Sequence, residues 1–277
     1  MKKILVTTDF SVSSKAAIYF AIQLASQGGH HLTFFHSYHI MKPTSWNNTA
    51  LETFEKREST KVEKKLQQLV ESIYKKTGLK KGEYQYVTSN SLNAEKDIRE
   101  YAEAQGFDFI CISRRGASTH KSIFGTVTSG LINKSAVPVI AVPPNYKPKK
   151  IEKLLYVSDL KSLDNEVKKV AEFAEPLKAD LELLHFRVPS DSGRDLKLIN
   201  KASEKFSGHQ IKMHLRDYDF ADGLVKYMDT SINEANPSVV IMFGQQHRDF
   251  FARLFLPGIS TSYSFKASVP LLIFPRK

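Results

Sequence analysis

The sequence predicts an α/β chain of two tandem doubly wound domains, each a five-stranded parallel sheet with helices on both faces. Three observations carry the prediction. The chain repeats itself: Lys3-Ile-Leu-Val-Thr-Thr-Asp9 aligns with Lys153-Leu-Leu-Tyr-Val-Ser-Asp159, Leu32-Thr-Phe-Phe-His36 with Leu181-Glu-Leu-Leu-His185, and Val137-Pro-Val-Ile-Ala-Val-Pro143 with Val269-Pro-Leu-Leu-Ile-Phe-Pro275. Short β-branched runs alternate with longer stretches of helical period. Between the copies, Pro143-Pro144-Asn145-Tyr146-Lys147-Pro148-Lys149-Lys150 blocks regular structure and marks a linker, giving domains at 1–144 and 151–277.

In the first copy, the apolar run at 4–7 ends in a polar turn and reads as a buried strand. Ser13 or Ser14 then caps a helix with Ala17, Phe20, Ala21, Leu24 and Ala25 on its inner face, which Gly28-Gly29 stops. A second strand follows at 32–36. The segment 41–54, with the only tryptophan, Trp46, is long for a connection and suits a lid, a partner-binding arm or a disordered loop. A polar helix at 53–77 buries Val62, Leu66, Leu69, Val70 and Ile73. Strands at 84–87, 109–112 and 137–142 alternate with helices at 94–105 and 126–134. The second copy repeats the order, with strands at 154–157, 181–186, 211–215, 239–243 and 269–274. Helices fall near 165–177, 196–206 and 221–235, and a short one precedes the last strand.

Composition narrows the class. No apolar run approaches the roughly 18 residues of a membrane helix, and the opening Met1–Val6 lacks the features of an export signal. The single cysteine, Cys111, excludes a disulfide framework and suits a reducing cytoplasm; its apolar neighbours make it a packed thiol. The net charge of +11 is uneven: residues 1–150 hold 22 Lys and Arg against 12 Asp and Glu, or +10, leaving +1 beyond. That bias permits an anionic ligand, but many of the lysines lie at 56–81 on a solvated helical face. No RNA- or DNA-binding signature accompanies the charge.

These features resemble the universal stress protein family in its tandem form. The resemblance covers nearly the whole chain and rests on four signs: the first strand running into Thr8-Asp9-Phe10-Ser11, the Leu-x-x-x-His ending of the second strand, the loop after the fourth strand, and the last strand led by Ala136-Val137-Pro138-Val139. It implies strand order 3-2-1-4-5 and pairing of last strands. Here that pairing would join 137–142 to 269–274 as an internal pseudo-dimer and hide two apolar edges. Members that carry a Gly-x2-Gly-x9-Gly-Ser/Thr loop bind ATP.

By that resemblance, the first copy's site comprises Thr7 and Asp9 at the end of strand one, Ser37 beside the base, and Ile112 and Val127 flanking the ligand. Ser113, Gly116, Gly125 and Thr126 would cradle phosphate. Independently, a glycine turn that opens a helix lets backbone N–H groups reach an anion. The loop departs from the family twice: Ser113 replaces the first glycine, and eight residues rather than nine separate Gly116 from Gly125. Arg114, Arg115, His120 and Lys121 could add phosphate contacts or be surface charges. In the second copy, Gly244-Gln245-Gln246-His247 loses the second glycine and Pro257 falls where a phosphate-binding glycine belongs, so no ATP site is expected there.

His36 and His185 end equivalent strands, but no ligand spacing surrounds either, so satisfied structural histidines are expected rather than metal ligands. Neither Gly-x4-Gly-Lys-Ser/Thr nor Gly-x-Ser-x-Gly occurs, and an enzyme is not expected. The expected function is a cytoplasmic stress-response protein that binds ATP or AMP, with or without Mg2+, in its first domain and shows protein partners a nucleotide-dependent surface. The alternative is a tandem scaffold without nucleotide. A membrane role is not expected, and a nucleic-acid role is the weaker third reading.

Overall fold

The opening run Lys3–Thr7 buries four of its five residues, as a strand between two others must. The structure is a computed structural model that describes residues 1–41, 48–114, 125–160, 162–187, 197, 200, 201, 204, 211–217, 224–244 and 268–275. The first repeat runs β1 (Lys3–Thr7), α1 (Lys15–Gly28), β2 (His31–Tyr38), α2 (Asn48–Thr77), β3 (Tyr84–Asn90), α3 (Ala94–Ala104), β4 (Phe109–Ser113), α4 (Thr126–Lys134) and β5 (Val139–Val142). The second runs β6 (Lys153–Val157), α5 (Leu163–Ala174) with a 3-10 turn at Glu175–Leu177, β7 (Asp180–Arg187), β8 (Lys212–Asp217), α6 (Leu224–Ala235), β9 (Val239–Phe243) and β10 (Leu271–Phe274). Within 196–206, the described positions 197, 200, 201 and 204 are helical. The short helix expected before the last strand lies outside the described residues.

The strands form one sheet in the order β3-β2-β1-β4-β5-β10-β9-β6-β7-β8, so each half reads 3-2-1-4-5. Neighbours are parallel except at the centre, where β10 meets β5 antiparallel with Leu272 opposite Ile140. Each last strand thereby covers the other's edge. One helix layer is shared: Phe20 of α1, Leu66 and Val70 of α2 and Phe173 of α5 lie in a single core, and the rings of Phe109 and Phe173 meet edge-on at 5.4 Å across the repeats. On the opposite face, Phe35, Ile98 and Leu131 form the first repeat's core and Leu184, Met228 and Ile232 the second's.

Local chemistry sets the ends. Gly29 takes the left-handed conformation that closes α1, φ 65°, and its N–H reaches the Ala25 carbonyl at 2.9 Å. Asn93 caps α3 by accepting from the Lys96 N–H at 3.1 Å. Ser14, expected as a side-chain cap, precedes α1 without capping it. Its hydroxyl meets the Thr8 hydroxyl at 2.8 Å and the Ser11 carbonyl at 2.9 Å, tying the loop to itself instead. Helix α2 starts at Asn48, so much of the long segment at 41–54 is helix; its polar first turns hide that start from an apolar-period reading. Residues 42–47, including Trp46, lie outside the described residues.

The linker is held more firmly than its composition suggests. The Tyr146 ring sits edge-on to Phe20 at 5.4 Å, and Ile151 is buried. Gln27 of α1 brackets Ile151, accepting from its N–H at 2.8 Å and donating to its carbonyl at 3.2 Å.

Candidate functional site

Strands β1 and β4 are central neighbours whose connections leave in opposite directions, toward β2 and toward β5. Ligands of open parallel sheets sit beyond the carboxyl ends at such a switch point. A cleft of about 660 Å3 opens there, and eight expected residues line it: Thr7, Asp9, Ser37, Ile112, Ser113, Gly125, Thr126 and Val127. Gly116, the ninth, lies outside the described residues, as do Arg115, His120 and Lys121.

The first wall is the turn after β1. Thr7 is buried and its hydroxyl donates to the Cys111 carbonyl at 3.5 Å, bridging β1 to β4. Asp9 stands at the exposed rim, where its Oδ1 accepts from the Ser11 N–H at 3.0 Å. Partial burial pushes the Asp9 carboxyl up, but hydrogen bonds from the Ser11 hydroxyl and N–H and from Ser14 outweigh it and hold the group below its usual value. It is an ionised acceptor at neutral pH. Phe10 has φ 64°, a conformation costly for a bulky residue, and Leu160 repeats it at φ 61° in the second copy. Both are held alike: the Thr8 and Ser158 hydroxyls accept the N–H two residues on, at 3.1 and 3.0 Å.

The histidines belong to this turn. His36 Nδ1 donates to the Thr8 carbonyl at 2.7 Å and His185 Nδ1 to the Ser158 carbonyl at 2.9 Å. The Phe10 ring lies 4.1 Å from that of His36. Burial pushes the His36 pKa down against the pull of the Thr8 carbonyl and Asp9, so the ring is neutral and serves as a latch. Cys111 is fully buried, and burial pushes its thiol up out of reach of reaction. No group of three or more His, Cys, Asp or Glu side chains suited to a metal occurs among the described residues.

The second wall is the end of β4 and the start of α4. Ser113 has a negative φ, so the strand end does not require glycine there. Its hydroxyl donates to the Ser13 carbonyl at 2.6 Å and fastens β4 to the first wall. Gly125 precedes α4 in an extended conformation and brings no side chain to cap it. Among the described residues the N-cap position thus gives the first N–H groups of the helix no side-chain cap, and the Thr126 hydroxyl lies at the cleft beside them. The residues present thus fit a phosphate at this end. Phe35, Ile98, Ile112 and Val127 supply apolar walls for a flat ring farther in.

Arg114 is not among the residues that line the cleft; it is buried, its pKa pushed down to about 10 by burial and drawn back up by the charge of Asp229 of α6. Thr8, Ser11, Ser13, Ser14, Phe35, Ala94, Ile98 and Thr128 also line the cleft and were missed from the sequence. The cluster of hydroxyl residues after Asp9 was the available signal.

The second repeat corrects one alignment. Arg114 N–H donates to the Val142 carbonyl at 2.7 Å and Gly244 N–H to the Phe274 carbonyl at 2.9 Å, so Gly244 matches Arg114 and Phe243 stands in the place of Ser113. The Phe243 ring stacks on Phe274 at 4.6 Å and meets Tyr156 edge-on at 5.8 Å. Asp159 is buried where Asp9 is exposed. Residues 245–267, with Pro257, lie outside the described residues.

A doubly wound parallel sheet with a cleft at its switch point, repeated in tandem, defines the class of fold. The chain belongs to the universal stress protein family, whose model matches residues 1–143. The fold is similar to that of a universal stress protein from Archaeoglobus fulgidus DSM 4304, with TM-score 0.68 and 15% identity, covering 99% of this chain and 98% of that one. It is also similar to a structure named for a universal stress protein of Pseudomonas aeruginosa UCBPP-PA14, with TM-score 0.63 and 13% identity, covering 99% and 93%. No curated protein matches the chain.

Proposed function

We propose that the first domain binds an adenine nucleotide, ATP or AMP, and that the protein serves the stress response by showing partners a surface that changes with occupancy. The convergence of eight separately expected residues on one cleft supports this reading most strongly. Phosphates would lie at the N-terminus of α4, where helix partial charge and the first N–H groups favour anions. Asp9 would accept from sugar hydroxyls, and the apolar walls would hold the base. Mg2+ accompanying ATP would find oxygen donors in the phosphates and Asp9. The role we propose is binding, with His36 engaged by the Thr8 carbonyl and Cys111 buried. No described helix is long and apolar enough to cross a membrane, and the protein is proposed to act in the cytoplasm.

Titration calorimetry with ATP and AMP, and release of any copurified nucleotide, test the proposal. Thr126→Pro is the informative variant. Proline is well tolerated at the first helical position, and Gly125 before it is already extended, yet one phosphate-facing N–H disappears. ATP affinity should fall about tenfold with stability kept. A wild-type chain that neither copurifies with nor binds nucleotide leaves the scaffold reading in its place.

A further inference from the structure

Ser37 and Ser89 are register partners on β2 and β3, one step beyond the paired Phe35 and Val87 of the apolar core. Asp97, in the first turn of α3, bridges them: the Ser37 hydroxyl donates to its Oδ2 at 2.5 Å and the Ser89 hydroxyl to its Oδ1 at 2.8 Å. A serine carries one hydroxyl proton. With that proton committed to Asp97, Ser37 Oγ offers the cleft it lines only lone pairs. Ser37 lies beside Phe35, Ala94 and Ile98, on the wall contributed by β2 and α3, whereas the phosphate-type donors lie at α4. A bound nucleotide therefore brings its base to Ser37.

We propose that Ser37, oriented by Asp97, selects 6-amino purines over 6-oxo purines, a step that rests on the nucleotide reading above. A 6-amino group donates to the waiting lone pairs, whereas a 6-oxo group sets lone pairs against lone pairs. The second repeat lacks the device. Phe186 and Arg216 are the register partners at the matching positions, and Tyr227 precedes Met228 as Asp97 precedes Ile98. A purely structural Asp97, steadying α3 on the sheet, would be indifferent to the base.

The test compares ATP, inosine triphosphate and purine riboside triphosphate by calorimetry on the full chain. ATP should bind about tenfold more tightly than inosine triphosphate, with the unsubstituted purine between them. Ser37→Ala should bring the ATP-to-inosine ratio near one. Asp97→Asn, whose amide can donate to Ser37 and free its proton for the cleft, should flatten or invert the ratio, while Ser89→Ala should keep it. Thermal melts confirm that each variant folds, and Ser37→Ala alone decides if Asp97→Asn does not. Equal binding by the wild type, or a ratio unchanged in Ser37→Ala, overturns the proposal while the nucleotide site stands. If none of the three binds, the nucleotide reading falls and the proposal with it.

Discussion

Replacing Gln27 by alanine should loosen the joint between the repeats without touching the cleft. The Gln27 amide makes both hydrogen bonds to the Ile151 backbone, at 2.8 and 3.2 Å, and its Oε1 also accepts from Gln23 at 2.9 Å. Each neutral bond contributes about 1 kcal/mol net, and an N–H left unpaired in a buried place costs about 1–3 kcal/mol. Gln27→Ala should therefore cost about 2–3 kcal/mol. Gln23→Ala, which removes only the third bond, should cost about 1 kcal/mol or less. Urea denaturation gives the global loss. Limited trypsin digestion gives the local one, since Lys149 and Lys150 are exposed beside the clamp. If the joint opens and recloses faster than it is cut, cleavage there should accelerate about 30- to 150-fold. A Gln27→Ala chain with an unmoved urea midpoint and cleavage within about twofold of wild type would refute the clamp.

Two further outcomes follow from the same structure. Burial lowers the pKa of both His36 and His30, so the unfolded chain takes up protons first; the stability from keeping these rings neutral is present above about pH 6.5 and lost as pH falls. Urea midpoints at pH 7.5, 6.5 and 5.5 should decline, and less steeply in His36→Asn, whose amide can still donate to the Thr8 carbonyl; identical slopes would count against the latch. Phe243→Ala should cost about 3–5 kcal/mol, because its buried ring stacks on Phe274 and meets Tyr156, while ATP binding by the first repeat stays unchanged. A loss below about 1 kcal/mol would mean that the Phe243–Phe274 stack contributes little to holding the second repeat.

The elements with strong period were legible from sequence: α4 and β9 fall where the pattern puts them, because apolar spacing and turn residues agree there. The start of α2 and the tightness of the linker were not. The first turns of α2 carry too few apolar residues to show a period, and the linker is fastened by Gln27, a partner 124 positions away from Ile151. The cleft followed the same division. Residues at strand ends and helix starts were findable, since topology alone sends them to one place. Ser37 and Asp97 lie 60 positions apart, and Arg114 is buried within the electrostatic reach of Asp229 in the other repeat; neither fact has a local signature.

The antiparallel seam between β5 and β10 joins two copies that share one chain. In a dimer of separate copies, every substitution appears on both sides of the axis. Here the sides diverge: Gly244 holds the position that Arg114 holds in the first half, and Phe243 the position of Ser113. One end of the molecule opens on a cleft lined with hydroxyl groups, while at the twin end Phe243, stacked on Phe274, holds the position of Ser113. Whatever the first half's own residues recognise is therefore offered once per chain, not twice as in a symmetric pair.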